Sequence, residues 1–191
     1  MSFIELTPKH QQQLLMLARS SLRDSLTTYQ MPAVEENELD DVLKVPMACF
    51  VTLTIQGELR GCIGSLEASR PLYQEVIQRA KDAAFNDYRF PNLEHHELGK
   101  IVIEISVLTP MTRMACQTND ELLASLNPFH DGLLIKAGRY QATFLPQVWD
   151  SLPDAGLFVG QLKKKAGLPV DAWPANIECF RYHVIAFSEN G

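Results

Sequence analysis

Cys49-Phe50-Val51-Thr52-Leu53-Thr54-Ile55-Gln56-Gly57-Glu58-Leu59-Arg60-Gly61-Cys62-Ile63-Gly64 is the stretch whose reading decides the fold class. Its first seven residues are rich in β-branched side chains. They alternate Val51, Leu53 and Ile55 against Phe50, Thr52 and Thr54, the period-two pattern of a half-buried strand. Gln56-Gly57 suits a two-residue hairpin turn, so Glu58 to Leu66 is expected to return antiparallel to the first strand. Strict alternation in the returning strand puts Leu59, Gly61 and Ile63 on one face and Arg60, Cys62 and Gly64 on the other. At a strand rise of about 3.3 Å per residue, Arg60 and Cys62 would stand about 6–7 Å apart.

That spacing has chemical content. A guanidinium near a thiol favours the thiolate. Gly61 and Gly64 weaken a strand unless something requires a bulge, a bend or a close backbone approach. Cys62 is therefore the candidate nucleophile, with Arg60 as its electrostatic partner. Arg60, Gly61 and Gly64 are candidate contacts for an anionic or carbonyl ligand. A plainer reading stands beside this one. A strand cysteine is commonly a small buried hydrophobe, the arginine can cover a neighbouring loop, and the glycines can admit a packed helix.

Outward from the hairpin, Thr7-Pro8 caps and starts a helix. Leu14, Leu15, Ala18, Leu22 and Leu26 carry it to about Thr28. Pro32 blocks any continuation, and the acidic run Glu35 to Asp41 reads as a solvated connector. After the hairpin, Ser69-Arg70-Pro71 opens a second helix with Leu72, Val76, Ala80 and Ala83 as its stripe, ending near Asn86. Asp87-Tyr88-Arg89-Phe90-Pro91 reads as a turn stapled by its own side chains. Its functional alternative has Arg89 or Asp87 reaching the thiol, and Arg89 is a candidate ligand contact. His95-His96 is a weak metal signal, since adjacent residues do not face one way.

Ile101 to Leu108 is a clear strand whose sole charge is Glu104. A short helix from Asn119, a turn at residues 127–132, a hairpin at 133–145 and a helix from Asp154 to Ala166 follow. Gly167-Leu168-Pro169 stops that helix, and Lys163, Lys164 and Lys165 suit its C-terminal dipole. Ile177 to Phe187 reads as one long final strand. Helices mixed with hairpin-linked strands predict an α+β fold, mainly antiparallel sheet packed with helices plus a smaller inserted lobe. The expected division of this single domain is residues 1–108 and 151–191 in the larger subdomain and 109–150 in the smaller.

Composition narrows the function classes. The chain has 191 residues, 46% hydrophobic and 21% charged, with a net charge of −6, the profile of an ordinary globular protein. An acidic balance argues against general nucleic-acid binding. No apolar run is long enough for a membrane span, and the start at Met1 lacks a secretion-signal pattern. The four cysteines, at 49, 62, 116 and 179, have no Cys-x-x-Cys spacing and read as reduced thiols of a cytoplasmic protein. No cofactor and no metal is expected. A metal site built from Cys62, His130 and another histidine is the weaker alternative.

Six ordered blocks resemble the AMMECR-type domain family. They are Leu59-Arg60-Gly61-Cys62-Ile63-Gly64; Ala83-Ala84-Phe85 with Asp87-Tyr88-Arg89-Phe90-Pro91; Ile105 to Pro110; His130-Asp131-Gly132-Leu133; Leu145 to Val148; and Lys165 to Leu168. Tyr88 departs from the family pattern, which commonly has proline there. The resemblance implies an α+β protein of two subdomains. It also implies association with a Memo-type protein and a radical-SAM protein, but brings no established reaction. Within it, His130 is the candidate general base or orienting group for Cys62, because cysteine–histidine pairs are defined in space rather than in sequence; a turn histidine bonded to nearby backbone is the plainer reading. Two functions result: a thiol-dependent enzyme acting on a small-molecule or peptide substrate in a modification pathway, or a non-catalytic adaptor that binds a small ligand or a partner.

Overall fold

Thr7 caps the first helix as expected: in this computed structural model, which describes residues 5–27 and 32–189, its Oγ1 accepts from His10 N–H at 3.4 Å. That helix, α1 (Pro8–Thr27), buries Leu14, Ala18 and Leu22 along one face. The expected end at Thr28 lies outside the described residues. The acidic connector is more ordered than its composition suggests. It holds a 3-10 turn at Glu36–Glu38 and a one-turn helix, α2 (Asp41–Lys44), which buries Leu43 completely.

The hairpin follows as β1 (Cys49–Ile55) and β2 (Glu58–Gly64). Gln56 and Gly57 both take positive φ, +54° and +85°, the conformation of a type I′ turn. Helix α3 (Leu72–Phe85) buries the whole expected stripe, Leu72, Val76, Ala80 and Ala83, together with the neighbouring Ile77 and Ala84. Strand β3 (Ile101–Leu108) leads to β4 (Thr112–Arg113), α4 (Asn119–Ser125), β5 (Gly132–Ala137), β6 (Tyr140–Phe144), α5 (Ala155–Ala166), β7 (Ile177–Tyr182) and β8 (Val184–Ser188).

Among the described residues the strands make two four-stranded sheets, ordered β2-β1-β3-β8 and β4-β7-β5-β6. The first belongs to a unit built from residues up to Leu108 and from Ile185 onward; the second belongs to Thr109–Val184. In the first unit, α1, α3 and the inward faces of β1 and β3 share one core of Leu14, Leu22, Val51, Leu53, Val76, Ile103 and Ile105. In the second, Leu122, Leu133, Ile135, Phe158, Leu162 and Cys179 pack around Trp149. The Trp149 indole stacks on Phe158 with ring centres 3.8 Å apart.

Two expectations change. Residues 177–187 are not one strand. His183 interrupts them, with its N–H bonded to Thr109 Oγ1 at 2.9 Å, so β7 joins one sheet and β8 the other. The division of the chain moves accordingly: 151–184 belongs with the second unit. The reason is burial, since Phe158, Val159 and Leu162 of α5 fill the same core as Trp149 and the β5 strand. Lys163 lies in the last turn of α5 as expected, with Lys164 and Lys165. It is buried, and its ammonium donates to Asn119 Oδ1 at 2.7 Å and Val170 O at 3.1 Å.

Candidate functional site

The β1–β2 register places the signature residues. Thr52 pairs with Cys62 and Leu53 with Gly61, but Thr54 then pairs with Leu59. Arg60 is therefore the extra residue of a bulge. This corrects the strict alternation read from sequence. Leu59 shares the outward face with Cys62 and is 43% exposed, while Gly61 points inward. The bulge re-aims Arg60, as bulges do. Its Nε and Nη2 donate to the two Glu97 oxygens at 2.8 and 2.9 Å, and Nη1 and Nη2 donate to Pro91 O and Asn92 O at 2.9 and 3.3 Å. This forked pairing holds the Glu97 carboxyl down to about 2, against the opposing pull of burial. Arg60 thus clamps the loop that follows α3.

Gly61 is required by proximity. A Cβ there would lie 2.1 Å from the carbonyl oxygen of Ala83 in α3. At Gly64 a Cβ would meet the Phe50 ring at 2.2 Å. These glycines bring β2 against α3 and Phe50 across β2.

The Asp87 turn is tied to the same strand. Asp87 is only 4% exposed. Its Oδ2 accepts from Cys62 N–H at 2.9 Å and Arg89 Nη2 at 2.7 Å; its Oδ1 accepts from Arg89 N–H at 3.2 Å and Arg89 Nε at 2.9 Å. Arg89 also donates to Cys62 O at 3.2 Å. The backbone of Cys62 is thus gripped on both sides by the Asp87–Arg89 pair. Arg89 hydrogen bonding is the chief reason the Asp87 carboxyl lies far below the usual carboxylate range. Between these two residues Tyr88 is 95% exposed.

The thiol itself is half-buried, and Thr52 Oγ1 donates to its Sγ at 3.3 Å. Thr52 is also in register with Glu104 on β3. Glu104, Thr52 and Cys62 therefore form one cross-strand row on the outward face of the sheet, where neighbouring Cβ atoms stand about 5 Å apart. Sequence reading noted Glu104 as the sole charge of its strand, but pairing between strands was needed to align it with Cys62.

His130 belongs to the second unit. Its backbone N–H bonds Asn127 O at 3.2 Å, and its side chain makes no hydrogen bond or ion pair among the described residues. Phe129, just before it, takes φ +67°, a strained value for an aromatic residue. The turn is stabilised by Asp131, which is fully buried. Asp131 Oδ2 accepts from Asn127 N–H at 2.8 Å, and its Oδ1 bonds His183 Nε2 at 3.0 Å. Sequence reasoning missed this Asp131–His183 pair because 52 residues separate its members. His95 and His96 do not converge: His95 Nε2 bonds Leu26 O at 3.1 Å and His96 pairs with Glu94 at 3.2 Å. Among the described residues no group of three or more His, Cys, Asp or Glu is arranged to hold a metal, and no helix is long and apolar enough to cross a membrane.

The clamp on the loop has a direct check. Arg60→Lys keeps the charge but loses the fork. Urea unfolding is expected to show a loss of about 1–2 kcal/mol, with the Glu97 carboxyl rising toward its ordinary value in an NMR titration.

Comparison with other proteins agrees with this architecture. The AMMECR1 family profile matches residues 15–187. A Methanothermobacter thermautotrophicus protein is 32% identical, with all of both chains covered. A Methanocaldococcus jannaschii protein is 36% identical over 78% of this chain and 76% of its own. The crystal structure of an uncharacterised Pyrococcus horikoshii protein superposes with a TM-score of 0.83 at 31% identity, covering 92% of this chain and 89% of that one.

Proposed function

Given that the chain belongs to the AMMECR1 family, we propose that it acts as a binding protein whose recognition element is the β2 strand with the 87–91 turn. One observation carries this reading. The Arg60 guanidinium and the Asp87–Arg89 pair are engaged within the first unit, and the loop they hold presents Tyr88 almost fully to solvent. Arg60 is engaged by Glu97, and Asp87 by Arg89 and Cys62. A rigidly held loop carrying exposed tyrosine and arginine loses little entropy on docking, and these residue types dominate interface energetics.

The occupant this reading favours is a protein partner. Memo-type and radical-SAM proteins are the first to test. Each purified partner would be titrated against the wild-type protein, Tyr88→Ala and Cys62→Ala. The expected result is saturable binding to one of them, weakened about thirtyfold by Tyr88→Ala, equivalent to about 2 kcal/mol, and within twofold of wild type for Cys62→Ala. Binding that ignores Tyr88 would remove this reading.

A second reading keeps Cys62 as a nucleophile on a small-molecule or peptide substrate. The cross-strand row of Glu104, Thr52 and Cys62 favours it: Thr52 donates to the sulfur, and Glu104 supplies a carboxylate in the same unit as a candidate base. In that reading Arg89, which bonds Cys62 O, stands nearer the thiol's backbone than Arg60 does by its contacts. Alkylation rates against pH, read for each cysteine by peptide mass spectrometry, separate the two. Cys62 outpacing Cys116, with the advantage lost in Thr52→Val, supports thiol chemistry; equal rates support the binding role.

A further inference from the structure

We propose that the first unit holds a second, separate binding site, for a small amphipathic carboxylate, in the cavity between the ends of α1 and α3. The cavity has a volume of about 570 Å³, within the usual range for small-molecule sites. Ser25 and Leu26 of α1, Lys81 and Phe85 of α3, and Leu93 and His95 of the following loop line it.

The buried hydroxyl is the first argument. Ser25 is 7% exposed, and its Oγ has no hydrogen-bond partner among the described residues. One turn earlier, Ser21 is fully buried, but its Oγ donates to Ile77 O at 2.9 Å. The helix pair thus satisfies one serine and leaves the next, on the cavity wall, without a partner. A buried hydroxyl without a partner costs free energy, and a ligand oxygen that reaches it as the wall adjusts recovers that cost.

Charge supplies the second argument. Lys81 makes no ion pair among the described residues, although the other cation of α3, Arg79, is held by Glu75 and Asp82. The acidic residue on the wall, Glu94, is already engaged by the Glu97 N–H and by His96. The His95 ring is fixed by donating to Leu26 O, because a carbonyl can only accept. The free ammonium and the hydroxyl suit a carboxylate head, and Leu26, Phe85 and Leu93 suit its apolar body.

The signature strand also shapes this cavity from a distance. Arg60 bonds the carbonyls of Pro91 and Asn92, and Leu93 N–H bonds Ala84 O at 2.9 Å. These contacts anchor the loop that forms one wall. The site shares no lining residue with the proposed recognition face, so either proposal can fail without the other.

The test uses the full-length protein and anilinonaphthalene sulfonate as a fluorescent probe, displaced by octanoate or by octanol. One saturable probe site is expected, displaced by octanoate far better than by octanol. Lys81→Met is expected to weaken octanoate about tenfold, the effect of one charge-assisted contact. Lys164→Met, on an exposed lysine of the second unit, is expected to change nothing. Ser25→Ala is expected to weaken octanoate severalfold while raising the Tm of the unliganded protein by about 2 °C, because it removes an unsatisfied buried group. A purely structural Ser25 would lower the Tm instead. No saturable binding to the folded protein, equal displacement by octanol, or variants with wild-type affinity would each overturn the proposal.

Discussion

Gly61→Ala is expected to destabilise the first unit by about 3 kcal/mol or more, the upper end of overpacking costs. The added Cβ would stand 2.1 Å from Ala83 O. The obstacle is a backbone atom in the last turn of a packed helix, so no rotamer change relieves it. Either β2 or α3 must move. Both are held: Cys62 N–H is tied to Asp87 just beyond α3, and Arg60 is tied to Glu97. Moving the strand breaks those bonds as well.

Urea unfolding at neutral pH measures the cost. Gly99→Ala is the control, since nothing lies within 4 Å of a Cβ there, and it is expected to stay within about 0.5 kcal/mol of wild type. Gly64→Ala should fall between the two. Its nearest obstacle is the Phe50 ring, which can turn, although Cys49 O at 2.7 Å limits the relief. A Gly61→Ala protein as stable as the Gly99→Ala control would show that β2 and α3 do not approach this closely.

Asp87→Asn is expected to cost about 2–3 kcal/mol at neutral pH and to flatten the acid limb of stability. Asp87 accepts four hydrogen bonds, from Cys62 N–H, from Arg89 N–H and from two atoms of the Arg89 guanidinium. An amide replaces one acceptor oxygen with a donor. That donor must then face another N–H, so charge-assisted bonds are lost and a buried donor is left unsatisfied.

The pH dependence has a definite sign. Asp87 and Glu97 both have folded-state values depressed below their ordinary ones, chiefly by Arg89 and Arg60 respectively. Below about pH 4 the unfolded chain takes up protons that the folded chain refuses. Their stabilisation is therefore complete above the ordinary carboxylate range and drains as pH falls through it, for Glu97 down to about 2. Urea midpoints at pH 7 and pH 3 should converge more in Asp87→Asn than in wild type. An unchanged acid limb would show that Asp87 is not held ionised by Arg89.

The candidate site was only partly legible in the chain. Asp87 and Arg89 lie two residues apart, and their turn could be read because its bonds are local. The direction of Arg60 could not be read. Strict alternation aimed it along the face of Cys62, and the bulge opposite Leu53 and Thr54 turned it to Glu97, 37 residues away. The row of Glu104, Thr52 and Cys62 depends on the register of three strands. The Asp131–His183 pair depends on β7 lying beside β5.

By itself the sequence determined the elements whose causes are local. The period-two pattern of β1, the Gln56-Gly57 turn, the Thr7 cap, the α3 stripe and the Gly167 stop, which has φ +81°, each follow from sterics or hydrogen bonds within a few residues. Tertiary structure decided where those elements were divided and what their polar side chains met. His183 splits the final strand because Thr109 and Asp131 bond it from distant parts of the chain. Helix α5 joins the second unit because its apolar face completes the core around Trp149. Ser21 and Ser25 look alike in the sequence; only the packing of α1 on α3 gives the first a carbonyl and leaves the second without one. Propensity and periodicity are short-ranged, whereas burial and hydrogen-bond partnership are set by which surfaces meet.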